Sequence, residues 1–422
     1  MRAAARGARF PRVTASHAVR CCIAGGGPAG VMLGYLLARA GVAVTVLEKH
    51  ADFLRDFRGD TVHPSTLEVL EQIGLLAKFE RLPQRRVRHL GVQLEGRLQE
   101  VIDFRGLEPF DYVSFVPQWD FLDFLAGEGR RYPDFDLRTR HEALGLIEEA
   151  GRVAGVRVRS PAGETEIRAD VVVACDGRHS MLRKAAGLRV RDFGAPMDVL
   201  WFRLPRGASD PEDTFGILGA GHMMVMLNRT DYWQSAYVVP KGSDEALRAR
   251  PIEELRESVA RLAPFVRARV RAIASWDDVK TLEVRVDRLE RWHRPGLLLI
   301  GDAAHAMSPI GGVGINLAIQ DAVAAANALA PALLAKAGPI DEAPLRRVQL
   351  RRELPTRLIQ GLQLQIQKRV IRSVLGREAA PRIPTLLRWL LRFRAVRHLP
   401  ARLIGYGVRR ERVRTPSQAT ST

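Results

Sequence analysis

Residues 19–50 read VRCCIAGGGPAGVMLGYLLARAGVAVTVLEKH, and no other stretch restricts the fold as tightly. An apolar run at 19–24 meets Gly25, Gly26 and Gly27, a helix-period pattern follows through Ala40, and a second apolar run at 42–47 ends in Glu48. Two short apolar runs around a helical stretch make a βαβ unit, because parallel strands need a crossover between them. Gly25, Gly27 and Gly30 form GxGxxG, with Pro28 and Ala29 at the variable positions before the last glycine. The missing side chains permit the tight turn, the approach of backbone to a pyrophosphate and close contact of helix with strand. The helix N-terminus then faces the anion. Glu48 comes 18 residues after Gly30, where the second strand delivers a carboxylate to an adenosine ribose hydroxyl. The combination specifies a dinucleotide site; a bare tight turn in an α/β protein is the plainer alternative.

Composition narrows the rest. At about 150 residues per domain, the 422 residues make two or three domains or one large fold on a shared sheet. Apolar residues at 46% and charged residues at 27% exclude collagenous, disordered and disulfide-scaffold chains. Cys21, Cys22 and Cys175 show no CxxC spacing, so no zinc site or disulfide framework is indicated, and all three read as small core residues. No uncharged apolar run approaches membrane-spanning length. The net charge of +18 sits at the two ends. Residues 1–20 hold five arginines and no acid, and residues 346–414 hold 19 Lys or Arg against Glu353, Glu378 and Glu411, which leaves the body slightly acidic. A nucleic-acid-binding body is therefore not expected. Residues 1–18 are expected to be a disordered basic leader.

Two later stretches specify the dinucleotide. ADVVVACDGRHSMLRKAAG, at 169–187, is a strand ending in Asp176 and Gly177 followed by a helix. GLLLIGDAAHAMSPIGGVGINLAIQDA, at 296–322, is a buried strand ending at Gly301 and Asp302, then a Pro/Gly-rich loop, then a helix from about Gly314. With the βαβ unit they resemble the three fingerprints of the flavoprotein aromatic hydroxylases, the family of p-hydroxybenzoate hydroxylase and the ubiquinone-pathway hydroxylases. The resemblance covers roughly 19–335. It implies an α/β fold in which a Rossmann-like FAD-binding domain (19–187 and 288–345) carries an antiparallel-sheet substrate domain (188–287) and a basic helical C-terminal region (346–422).

The resemblance also implies an FAD-dependent monooxygenase that holds FAD non-covalently and binds NADH or NADPH transiently. O2 would be reduced on the flavin to a hydroperoxide that hydroxylates an aromatic, quinone-like or polyketide-like substrate. Carried over position by position, Gly25, Gly27, Pro28, Ala29, Gly30, Glu48 and Lys49 would hold the ADP half. Arg58 would reach the pyrophosphate, Gln118 the ribityl region, and Asp302 a ribityl hydroxyl. Pro309 would stand beside the reactive flavin carbon, with Gly311, Gly312, Gly314 and Ile315 against the ring and Asn316 at its pyrimidine edge. Asp176 is partly structural and partly linked to flavin and nicotinamide contact. Asp at a strand end is also an ordinary turn former or cap, for Asp176 more than for Asp302. His305 reads as a hydrogen-bonded structural residue, and no dedicated catalytic base or metal site is expected.

Alternating runs at 199–204, 222–227, 232–239 and 281–286 read as antiparallel strands. In the resembled family such a sheet roofs the flavin, which nominates Trp201, Met224 and Tyr237 for substrate contact, although alternation allows either face. The C-terminal region reads as helices broken by Pro355, Pro381, Pro384 and Pro400. Within it, 383–399 is a basic amphipathic segment suited to an anionic membrane surface or to docking on the FAD domain, and docking is preferred. The expected setting is cytoplasmic, with peripheral contact at the inner face of the membrane as the variant. The competing functions are a flavin-dependent reductase of isoprenoid chains and a non-catalytic FAD-binding partner protein.

Overall fold

The computed structural model describes residues 17–54, 61–94, 97–219, 221–376 and 389–418. Arg58, residues 1–16 of the leader, Pro381, Pro384 and residues 383–388 of the basic segment lie outside them, while His17 and Ala18, expected to be disordered, begin the first strand.

The opening run becomes the central strand, His17–Ala24, of the first sheet. It is flanked in parallel by Val44–Glu48 on one side and by the end of Gly163–Ala174 on the other, with Phe135–Thr139 and Leu297–Leu299 beyond. Cys21, Cys22, Ile23 and Ala24 are at most 1% exposed, as a parallel strand covered on both faces requires. Burial pushes the Cys22 thiol up to about 12 and raises those of Cys21 and Cys175, so these thiols are inert at neutral pH. The helices Pro28–Arg39 and Gly314–Ala335 cover one face. The segment Ile310–Ala335 is long and apolar enough to cross a membrane by length and composition, but 67% of its apolar window is buried, and it serves as a core helix.

The second sheet has seven strands in the order Lys280–Leu282, Met197–Pro205, Tyr232–Pro240, His222–Asn228, Phe215–Gly219, His89–Leu94 and Arg97–Asp103. Only Phe215–Gly219 with His89–Leu94 is parallel. The sheets therefore do not follow sequence intervals, because two strands from within 19–187 join the antiparallel sheet.

The C-terminal region corrects the expectation that every proline breaks a helix. Pro355 lies inside Glu342–Ile366 and Pro400 inside Arg394–Tyr406. Pro355 is buried, as is Ala401 beside Pro400; tertiary contacts at these sites override the roughly 3 kcal/mol helix penalty of an internal proline. From Arg394 onward the chain packs back across both the second sheet and the elements beside the first. Arg397 pairs with Glu100 at 2.8 Å, the Tyr406 hydroxyl receives Phe110 N–H and donates to its carbonyl, and Val413 N–H reaches Gln72. Gln418 N–H donates to the carbonyl of Arg39 at 2.9 Å.

Candidate active site

At the end of the first strand the chain turns on Gly25, whose φ of +110° is open to glycine. A β-carbon there would lie 2.3 Å from the Cys175 carbonyl oxygen, and one on Gly30 only 1.9 Å from that of Gly25. These two glycines are demanded by the protein itself. Gly27 differs, since a β-carbon there meets nothing within 4 Å. Its open side adjoins the N-terminus of Pro28–Arg39, which has no side-chain cap and begins with proline, so unpaired backbone N–H groups face that space. Glu48, 8% exposed, accepts from Gly26 N–H at 3.1 Å and His50 N–H at 2.9 Å. Its carboxylate is thus held beside the glycine turn, while Lys49 is exposed.

The other two fingerprints converge on this turn. Gly301 packs so near the first helix that a β-carbon would come within 3.2 Å of the Ala29 methyl, which sets Asp302 beside the helix start. Asp302 is about one-third exposed, and Arg178 approaches its Oδ2 at 3.4 Å. Asp176 points inward, accepting from the Ser180 hydroxyl and from Leu182 N–H at 3.1 Å. Burial raises its pKa despite those bonds. Asp176 thus organises its own loop, and Asp302 faces outward.

Pro309, Gly311, Gly312 and Gly314 form a half-buried loop, with φ +77° at Gly311 and +61° at Gly312. The Thr61 hydroxyl donates to the Gly312 carbonyl at 2.9 Å, and a β-carbon on Gly312 would sit 2.5 Å from that hydroxyl oxygen. Gly314 begins a 22-residue helix with open space beside it and no side-chain cap. Asn316 is 5% exposed; its Oδ1 accepts from Thr66 Oγ1 at 2.6 Å and His63 N–H at 3.3 Å, while its Nδ2 has no partner among the described residues. Ile315 is buried beside it. An open phosphate approach at Gly27, an uncapped helix end at Gly314 and an unpaired buried amide donor at Asn316 suit a ligand with a pyrophosphate at one end and a carbonyl-bearing ring at the other. Gln118 is half-buried and opens the helix Gln118–Gly129, just after a strand paired with Thr61–Val62.

His305 is structural, as expected. Its Nε2 meets Asp321 Oδ2 at 2.6 Å; that oxygen also accepts Gly301 N–H, and Oδ1 accepts Arg352 Nε at 2.9 Å. Arg352 continues to Glu411 at 3.4 Å. Burial pushes the Asp321 carboxyl upward, but His305 and Arg352 outweigh it and hold the group below its ordinary range. The sequence reading missed Arg352 because its partners stand 31 and 59 residues away.

Of the three substrate candidates the structure corrects two. Leu200, Tyr237 and Met224 lie in one cross-strand row, and that row is buried against the helix Ile252–Leu262. The next row, Trp201, Ala236 and Val225, faces Ile310 in the glycine loop. A strand alternates sides at every residue, so a one-residue shift of phase exchanges the faces. Trp201 thus lies on the face toward the glycine loop together with Met223 and Val225, and Met224 and Tyr237 lie on the other.

His63, absent from the sequence reading, links two parts of the site. Its Nδ1 bonds the Ile404 carbonyl at 3.0 Å, and its backbone lies on Asn316. Burial lowers its pKa from 6.5 to about 4. Above 6.5 the folded and unfolded states are both neutral; below it the unfolded chain takes a proton that the folded one refuses. Stability should therefore fall by about 3 kcal/mol between pH 6.5 and pH 4 on account of this group. His63→Asn, which keeps a donor near Ile404, should remove that part of the slope in urea titrations across this range, and an unchanged slope would refute the assignment.

A family model for an FAD binding domain matches residues 18–350, and the chain belongs to that family. It is an FAD-dependent monooxygenase, an oxidoreductase with FAD as cofactor and NAD(P)H as reductant. It is 35% identical over 401 residues to 6-methylpretetramide 4-monooxygenase of Streptomyces rimosus, covering 93% of this chain and 94% of that one. It is 32% identical over 319 residues to a 12-dehydrotetracycline 5-monooxygenase/anhydrotetracycline 6-monooxygenase of Streptomyces rimosus, covering 71% of this chain and 60% of that protein's length. The crystal structure of p-nitrophenol 4-monooxygenase PnpA from Pseudomonas putida DLL-E4 shares the fold with a TM-score of 0.75 at 20% identity, covering 93% of this chain and 100% of that one.

Proposed function

We propose that this protein hydroxylates an aromatic ring of a polycyclic, polyketide-type substrate, consuming NAD(P)H and O2 and releasing NAD(P)+ and water. The observation that carries the reading is the wall across from the loop 309–314, where Trp201, Met223, Val225 and Ala236 form a continuous apolar surface. Such a wall suits a flat, largely apolar ring system held by contact area. The relative acting on 6-methylpretetramide aligns over nearly its whole length, which supports the same class.

When bound, FAD supplies the reducing equivalents that activate O2. The chain's residues bind and orient it. Gly27 admits the pyrophosphate, and Glu48 takes the ribose. Gln118 and Asp302 hold the ribityl chain, and Asn316 Nδ2 donates to a ring carbonyl. Uncapped N–H groups at Gly314 and Ile315 favour negative charge on the pyrimidine side of the reduced ring. The apolar wall and Ile310 exclude water from the reacting face. In this reading residues 19–187 with 288–345 form the FAD-binding domain, except that the strands His89–Leu94 and Arg97–Asp103 join 188–287 in the substrate sheet. The contacts made by 394–418 go with a cytoplasmic enzyme whose basic C-terminal region docks on itself, and pelleting with anionic vesicles would speak for the membrane variant.

Purified protein should be yellow and should release FAD on mild denaturation. Substrate-dependent oxygen uptake with NADH or NADPH, across phenols, quinone precursors and tetracyclic polyketides, should yield a product heavier by one oxygen atom. A reduced isoprenoid product, or colourless protein that does not take up FAD, would overturn the proposal.

A further inference from the structure

We infer that the C-terminal helix Arg394–Tyr406 is the third wall of the substrate chamber and that Ile404 sets how large a ring system the chamber accepts; this rests on the reading of the site as a polycycle hydroxylase. Three surfaces meet at Ile404. Its Cδ1 would stand 3.5 Å from a β-carbon on Gly311, so it borders the glycine loop directly. It packs on the same buried cluster, Phe104, Phe115 and Leu227 among its members, as Trp201 and Val225 of the sheet face do, and on the cluster of Met307, Val313 and Leu317 behind the loop. Ile404, Trp201, Val225, Met223 and Ile310 are all half-buried, Trp201 and Val225 although both of their neighbours in sequence are core residues. Half-buried apolar side chains turned toward one another line a space; they do not fill it.

The wall is fixed in place, as a size filter requires. The Ile404 carbonyl takes the His63 Nδ1 bond at 3.0 Å, Ala401 is fully buried against Phe104 and Phe115, and a β-carbon on Gly405 would already press on Pro64 at 3.1 Å. The Tyr406 hydroxyl is pinned to both backbone groups of Phe110. A larger side chain at position 404 can therefore find room only by entering the chamber.

The test compares wild type, Ile404→Trp and Leu399→Trp in dissociation constants for p-nitrophenol, 1-naphthol, alizarin and anhydrotetracycline, probes of one to four rings, by titration of the FAD-loaded protein. Leu399 lies on the same helix and is 73% exposed, so Leu399→Trp should match wild type throughout. Ile404→Trp should weaken binding of the larger probes by about tenfold or more while changing the smallest by less than about twofold. FAD content and melting temperature should stay at the wild-type values, which separates a filled chamber from a damaged fold. An Ile404→Trp profile parallel to wild type across ring number would overturn the inference, as would uniform loss with loss of FAD. Wild-type protein that binds the small probes and not the tetracycle would instead remove the polycyclic reading and leave the size comparison in force, and binding of none of the four would overturn both.

Discussion

Gly30→Ala should yield colourless protein of much reduced stability, whereas Gly27→Ala should yield protein that folds normally and loses FAD. At Gly30 the added methyl would sit 1.9 Å from the Gly25 carbonyl oxygen. That oxygen is backbone and its turn is fixed by Gly25 N–H donating to the Leu47 carbonyl at 2.8 Å, so the helix has to lift from the strand. Overpacking of this kind lies at or beyond the upper end of the usual cost of roughly 1–3 kcal/mol. The methyl at Gly27 touches nothing within 4 Å among the described residues, which leaves a bound ligand as what it would obstruct. Its melting temperature as apoprotein should match wild type, and FAD affinity should fall by about tenfold or more. Wild-type FAD affinity in Gly27→Ala would show that the pyrophosphate does not approach there.

Arg352→Ala should destabilise the protein by about 3–5 kcal/mol, the usual result of removing one member of a buried ion pair. Arg352 and Asp321 have side chains 1% and 0% exposed. Without the guanidinium, the Asp321 carboxylate keeps His305 and Gly301 N–H but loses a compensating charge. Its folded pKa is lowered, so the stabilisation is complete at neutral pH and disappears as pH falls through that folded value. The difference between wild type and Arg352→Ala in urea midpoints should therefore be largest near neutrality and shrink in acid. Arg352→Met combined with Asp321→Asn should recover much of the loss, because no charge is then stranded. A single variant within about 1 kcal/mol of wild type would show that the network does not hold the loop base.

What the sequence revealed divides along the range of the forces involved. The βαβ unit and the strand-end loops at Asp176 and Asp302 were legible because each is a local pattern, where glycine and acid positions answer to neighbours a few residues away. Met224 and Tyr237 were misplaced because alternation has two equal phases, and the choice between them is made by the helix Ile252–Leu262. The strands His89–Leu94 and Arg97–Asp103 went unassigned to the antiparallel sheet because their parallel partner, Phe215–Gly219, lies far along the chain. Pro355 and Pro400 looked like breakers because the contacts that override them are tertiary. His63 and Arg352 give no local signal at all, since their partners belong to other elements.

The bond from Gln418 to Arg39, with Val413 on Gln72 and Arg410 at 3.5 Å from Glu68, also bears on how the protein is made. The first helix leaves the ribosome early and must wait for nearly the whole chain before its last neighbours exist. Until then the helix Arg394–Tyr406 is not yet held across from the glycine loop by the residues that follow it. Loop closure over such a span is slow. The nascent chain therefore lacks these contacts on its first helices until residues 410–418 have emerged, and growth at low riboflavin should leave protein that is made but pale.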